Sequence, residues 1–251
     1  MTVPEVAAST RETLAGPEAV TGQELLDDMN DHWCSHTHKR ERNKLMKRLI
    51  DFGKANNVRI TILSGDVHLC CVSRFRGTSE TSKANPKNDP NFITNLISSA
   101  IVNAPPPSGM ARFLSMRARK HRFQKDVVED MIPLFSVEPG TGKHRLHELF
   151  MNKRNYSDLI PIANIPRDQL LRRYGDITTD KFYVPGVVGE NMTFANKTEN
   201  IAAASKTNGP IGYPFDPEGV IATLRVEADM TDVNSETGAY ELLVPSLEVK
   251  K

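Results

Sequence analysis

Val58-Arg59-Ile60-Thr61-Ile62-Leu63-Ser64-Gly65-Asp66-Val67-His68 is the stretch on which the fold turns. Its first six residues alternate and are rich in β-branched side chains, so Val58 to Leu63 reads as a strand. A turn of small residues follows, then a carboxylate and an imidazole two positions apart. Open α/β sheets place ligands at the carboxyl ends of their strands, where the loops converge on a crevice. Gly65 lets the backbone turn or approach a neighbour closely. Asp66 offers a hard oxygen and His68 a nitrogen, a mixture that suits Zn, Fe or Mn, or a Ca companion. An aspartate capping a turn beside a satisfied histidine has the same spacing, because the pattern is short.

Upstream, the spacing predicts a helix over Lys39 to Lys54. Leu45, Met46, Leu49, Ile50 and Phe52 fall on one side of a 3.6-residue period, and Lys44, Lys47, Arg48 and Asp51 on the other. Gly53 and the pair Asn56-Asn57 supply a stop. Helix, short turn, strand is the grammar of an α/β or α+β chain. Downstream, Leu69 to Phe75 is a second apolar run. Residues 76–91 form a polar loop with two prolines, and Phe92 to Val102 is a further strand or a short buried helix ended by Pro105-Pro106-Pro107. Val220 to Val226 and Tyr240 to Val244 alternate around the acidic turn Asp229 to Thr237, which predicts a carboxyl-terminal antiparallel hairpin. Between 110 and 210 the chain mixes basic, amphipathic and Gly/Pro/Asn-rich pieces without a clear period. Residues 1–24 are small, polar and aperiodic and read as a disordered leader ahead of a domain over 25–251.

With 251 residues the chain is long enough to bury a substantial core. Thirty-two Lys and Arg face 31 Asp and Glu, a formal charge of +1, so a global attraction to nucleic acid is not indicated. Cys34, Cys70 and Cys71 do not make a disulfide framework, and a reducing interior is the simpler reading. The first 20 residues lack a basic stretch followed by an apolar one, and no run reaches the roughly 18 apolar residues of a membrane span. The expectation is therefore an intracellular protein without signal peptide or span.

Three other clusters compete for a role. Asp27-Asp28-Met29-Asn30-Asp31-His32-Trp33 precedes the first helix, where acidic groups suit the positive helix end. Alternatively, Asp31 and His32 line the same crevice as Asp66. His32, Cys34, His36 and His38 invite a zinc reading, but their even spacing departs from the usual C-x₂₋₄-C and H-x₃₋₅-H pattern. Arg112 to Arg122 is basic with apolar interleaving, either a solvated face or an amphipathic helix at an anionic membrane. No Walker loop, G-x-S-x-G elbow or H-E-x-x-H occurs.

At Leu63-Ser64-Gly65-Asp66-Val67-His68 the chain resembles the PhoD-like (alkaline phosphatase D) metallophosphatases, most closely their fungal branch. That family's motif is a strand ending in a Gly-Asp-Val-His turn, preceded by an acidic-aromatic segment that leads into an Arg-containing helix. Here that segment is similar to Asp27 to Trp33, and the helix carries Arg40, Glu41 and Arg42. Leu96-Ile97-Ser98-Ser99-Ala100-Ile101-Val102-Asn103 running into prolines resembles a further segment of the fungal branch, as does the strand pair from Val220 to Leu247.

The resemblance implies a four-layer αββα sandwich, two β-sheets packed together with helices outside. It also implies a dinuclear metal site of Fe, Ca, Zn or Mn that attacks a phosphoester. Carried over by motif, Asp66 is a metal ligand, His68 a ligand or a catalytic partner that positions phosphate, and Asp31 and His32 catalytic residues at the pocket wall. The sequence departs from the family in one respect. The family's earlier ligands, an Asp after the first strand, a Gly-Asp and a later Asn or His, have no counterpart before Leu26. The chain then resembles the carboxyl-terminal part of the domain, with an incomplete metal site and a need for a complementing amino-terminal half. The competing expectation is a non-catalytic interaction or membrane-peripheral protein that keeps this part of the fold.

Overall fold

The computed structural model describes Trp33 and residues 35–66, 69–79, 82, 86–102, 105, 108–118, 120–174, 182–183, 186–188, 213–214 and 216–248. The leader expected over residues 1–24 lies outside them. Residues 1–52 and 53–251 form two compact units.

Helix α1 (Lys39–Asn56), most of which lies in the first unit, begins where the backbone N–H of Lys39 donates to Ser35 at 2.9 Å. Its buried stripe is narrower than the expected apolar face. Arg42, Met46 and Ile50, spaced by four, are buried, while Leu45 and Phe52 are exposed. The Arg42 guanidinium lies 5.3 Å from the centre of the Trp33 ring, a cation–π contact that brings the half-buried indole against the first turns of the helix. The helix stops at Asn57, which adopts a left-handed conformation (φ 53°), and the Val58 N–H closes back on the Gly53 carbonyl. Asn57, not Gly53, supplies the left-handed cap. Gly53 is small for another reason, since a Cβ there would sit 3.0 Å from the Val58 oxygen.

The second unit holds two main sheets. Strands β1 (Ile60–Gly65), β2 (Cys71–Gly77), β3 (Ile93–Ser98), β4 (His121–Gln124) and β5 (Val127–Met131) form a mixed sheet ordered β1-β3-β2-β5-β4. Strands β1 and β3 run parallel, in register from Ile60–Ile93 to Gly65–Ser98, and the other pairings are antiparallel. The run from Phe92 is thus a strand and not a helix. Helix α2 (Ser108–Arg117) follows it. The basic run Arg112 to Arg122 is consequently not one amphipathic helix: the helix ends at Arg117, and Arg122 belongs to β4.

Between the sheets' strands the chain forms β6 (Asn155–Pro161), helix α3 (Arg167–Tyr174) and the short strands β7 (Phe182–Tyr183), β8 (Gly186–Val188) and β9 (Tyr213–Pro214). The expected hairpin is present as β10 (Val220–Glu227) and β11 (Thr237–Val244), in register from Val220–Val244 to Glu227–Thr237. It completes a second sheet ordered β6-β10-β11-β8, while β7 and β9 pair separately. The two-residue period explains why the hairpin is buried on both faces. Ala222, Leu224, Val226, Tyr240, Leu242 and Val244 pack into one core with Val72 and Leu96 of the first sheet and with Cys70 and Phe92, which directly precede its strands β2 and β3. Ile221 and Leu243 turn the other way and meet Ile162 and Leu170, so α3 covers the outer face. The Phe135 and Tyr240 rings meet edge to face at 5.0 Å inside the main core. The chain is therefore α+β, with two sheets packed through a shared core.

Two polar devices fasten this unit. The Arg59 guanidinium, just ahead of β1, donates to the backbone carbonyls of Pro86, Asp89, Phe92, Pro245 and Ser246. Nearby, buried Asp216 accepts from the N–H and hydroxyl of Ser246 at 2.8 and 2.6 Å and from the Glu218 N–H, and faces the Lys87 ammonium at 3.4 Å. Burial opposes ionisation of Asp216, but the Ser246 and Glu218 donors and the Lys87 charge outweigh it and hold this carboxyl below the ordinary value of 3.8. A group with a depressed folded pKa stabilises the fold above its unfolded pKa and loses that contribution as pH falls through the folded value. The urea midpoint is expected to drop as acid is added below pH of about 4, with a shallower drop in Asp216→Asn, as read by urea titrations at several pH values.

Candidate functional site

Asp66 leaves the carboxyl end of β1 beside the end of β3. Its N–H donates to the Ser98 carbonyl at 2.8 Å, which continues the β1–β3 ladder one residue past the strand. Its Oδ1 accepts the Leu69 N–H at 2.7 Å. The carboxylate is half-buried. This side-chain to backbone bond fixes the direction in which the carboxylate leaves the strand.

A belt of short polar side chains surrounds this strand end. Ser64 donates to the Asn95 side-chain oxygen at 2.6 Å, and Ser98 bonds Ser157 of β6 at 2.6 Å. Asn155, 3% exposed, accepts the Ser99 N–H at 2.9 Å and donates to the Lys153 carbonyl at 2.8 Å and to the Ser99 hydroxyl. The second sheet thereby holds the segment of the first that receives the Asp66 N–H. Next to Leu69, Cys70 and Met151 exchange backbone hydrogen bonds at 3.0 Å. Burial pushes the Cys70 thiol up, against the nearby Arg145 charge and with the Asp66 charge, so the thiol stays neutral. Arg145 and Lys153 share the Glu138 carboxylate at 3.3 and 2.7 Å.

Of the residues expected at the site, Asp66 alone is described. His68, Asp31 and His32 lie outside the described residues, as does Cys34 of the zinc reading. His36 is exposed and His38 half-buried. Among the described residues no group of three or more His, Cys, Asp or Glu could hold a metal ion. Asp66 at a strand end is a suitable hard donor, but one carboxylate falls short of the three or four protein ligands of a complete site. No chemical step can be routed through a metal on the described residues. The belt of Ser64, Asn95, Ser98, Ser99, Asn155 and Ser157 was missed by sequence reasoning. Short hydroxyl and amide residues are common in loops, and only the segment from Leu96 to Asn103 carried a signal.

No helix among the described residues is long and apolar enough to cross a membrane. No solved structure matches the chain. The sequence profile of the PhoD related phosphatases matches residues 18–215. The uncharacterized protein YGR266W of Saccharomyces cerevisiae is 40% identical over 241 aligned residues, which cover 90% of this chain and 33% of that protein. The chain thus spans about a third of the length of the curated relative it matches. A family profile over residues 18–215, with the strand-end Asp66 inside it, identifies the chain as a member of the PhoD related phosphatase family.

Proposed function

We propose that residues 25–251 form one portion of a metal-dependent phosphoester hydrolase domain, with Asp66 and His68 as metal ligands. His68 also positions phosphate, and Asp31 and His32 stand at the pocket wall. The observation that carries this reading is the place of Asp66: a half-buried carboxylate at the carboxyl end of a parallel strand, inside the segment that matches the phosphatase family. When bound, a pair of metal ions (Fe, Ca, Zn or Mn) would bind phosphoryl oxygens and lower the pKa of a water. The protein's own contribution is orientation. The Leu69 N–H and the Ser98 carbonyl hold Asp66 by its side chain and its backbone, and Asn155 ties that end of the sheet to the second sheet. The remaining ligands come from a complementing portion of a longer polypeptide, in keeping with the third of the yeast relative that this chain spans.

The test is metal content and turnover of an activated aryl phosphodiester by this chain joined to such a portion. Asp66→Asn is expected to lower turnover at least about 100-fold, since it removes a charged ligand without changing shape. Bound metal and full turnover in Asp66→Asn would overturn the assignment. An assembly that binds no metal would favour a non-catalytic interaction protein, whether or not it associates with membranes.

A further inference from the structure

The two edges of the first sheet are built differently. β4 ends the sheet as isolated sheets end: it has four residues, carries His121 and exposed Arg122, and its register slips between Arg122 and Gln124. Shortness, charge and a bulge each block the addition of another strand. β1 has none of these. Ile60–Gly65 is six residues long, uncharged, free of proline and in regular register with β3 throughout. No residue of β1 is fully buried, and Leu63 is 60% exposed.

The hydrogen-bond parity shows what this edge offers. In a parallel pair, alternate residues direct both N–H and C=O to the same neighbour. Asp66 donates toward β3, so Ser64, Ile62 and Ile60 also face β3, in agreement with the observed register. Thr61, Leu63 and Gly65 then present one donor and one acceptor each to the outer side, where no strand pairs among the described residues.

We infer that the outer edge of β1 is the docking surface for a further strand, supplied by the polypeptide that the longer relative carries outside the matched third. The yeast relative shares this region at 40% identity and is about three times longer, so chain to provide the strand exists there. The incoming strand is apolar and β-branched, pairs through its backbone with Thr61, Leu63 and Gly65, and covers Leu63. It would lie directly beside the strand that ends in Asp66, which brings the ends of the two pieces together at the candidate site. The inference rests on the reading of this chain as one portion of a larger domain.

Proline supplies a selective probe. Leu63→Pro removes an N–H that points away from β3, so the existing sheet keeps its bonds while the edge loses a donor and gains a steric block. Ile62→Pro removes an N–H that faces β3 and serves as the contrast. The experiment follows residue-level amide exchange in the full chain, alone and co-expressed with the part of the yeast protein outside the matched third. Alone, the amides of Thr61, Leu63 and Gly65 should exchange rapidly. In the copurified assembly they should slow by at least about 100-fold, as amides do when they enter a sheet ladder.

Leu63→Pro should keep the melting temperature of the isolated chain and reduce copurification by at least about tenfold, whereas Ile62→Pro should destabilise the chain itself. Slow exchange of these amides in the dilute chain alone would overturn the inference. Slowing that rises with concentration would overturn it too, since a second copy would then occupy the edge. So would a remainder that does not copurify, or one that copurifies equally with Leu63→Pro. Neither readout uses metal or turnover, so a failure here and a failure of the Asp66 assignment are separable.

Discussion

Arg59→Ala is expected to destabilise the second unit by about 3–5 kcal/mol in urea unfolding, without a change in the metal-binding assay, because a single guanidinium organises three separated segments. Its donors reach carbonyls of the 86–92 loop and of residues 245 and 246 while its backbone leads into β1. Truncation leaves those acceptors partly buried and facing a void. Arg59→Lys should recover only part of the loss. An ammonium has three donors on one atom and cannot reproduce the planar spread of the guanidinium. A loss below about 1 kcal/mol for the alanine variant would show that water replaces the side chain at those carbonyls, and that Asp216 and Lys87 suffice to hold the 245–248 segment.

Asp130→Asn carries a comparable cost by a different route. Arg74 and Arg76 of β2 both donate to this carboxylate of the neighbouring strand, at 2.6 Å through Arg74 Nε and at 2.9 and 2.6 Å through Arg76 Nε and Nη2. All three residues are buried, with Arg74 2% and Asp130 3% exposed. Removing the shared negative charge leaves two guanidinium groups in a low-dielectric layer, a change worth about 3–5 kcal/mol in comparable buried pairs. Replacing the three groups together by apolar residues of similar volume should cost less than the single substitution, because no uncompensated charge remains. Chemical denaturation of the single and the triple variant separates these outcomes.

These two networks also show where sequence reading stops. The hairpin from Val220 was legible because alternation and a turn are local signals, and β1 was legible for the same reason. Strand β2 was not fully legible: it is buried throughout yet holds two arginines, and the aspartate that accommodates them is 54 to 56 residues away. Arg59 was invisible as a fastening point because its partners are backbone carbonyls, which no residue type advertises. The basic run from Arg112 read as one piece because charge spacing does not register that Lys120 separates a helix from an edge strand. At the site, Asp66 stood out as a carboxylate at a strand end. The amide and hydroxyls that brace it from β3 and β6 belong to the tertiary pairing of two sheets.

The pair Cys70-Cys71 has a consequence for the environments in which this fold holds. Successive positions along an extended chain point to opposite faces, so the two thiols are directed apart, and both are buried and outside any disulfide. With its thiolate form suppressed by burial, Cys70 offers little to an oxidant or a thiol-exchange partner. This pair therefore lends the packed sheets no redox-dependent cohesion, and its contribution would be the same in a glutathione-rich solution as in an oxidising one.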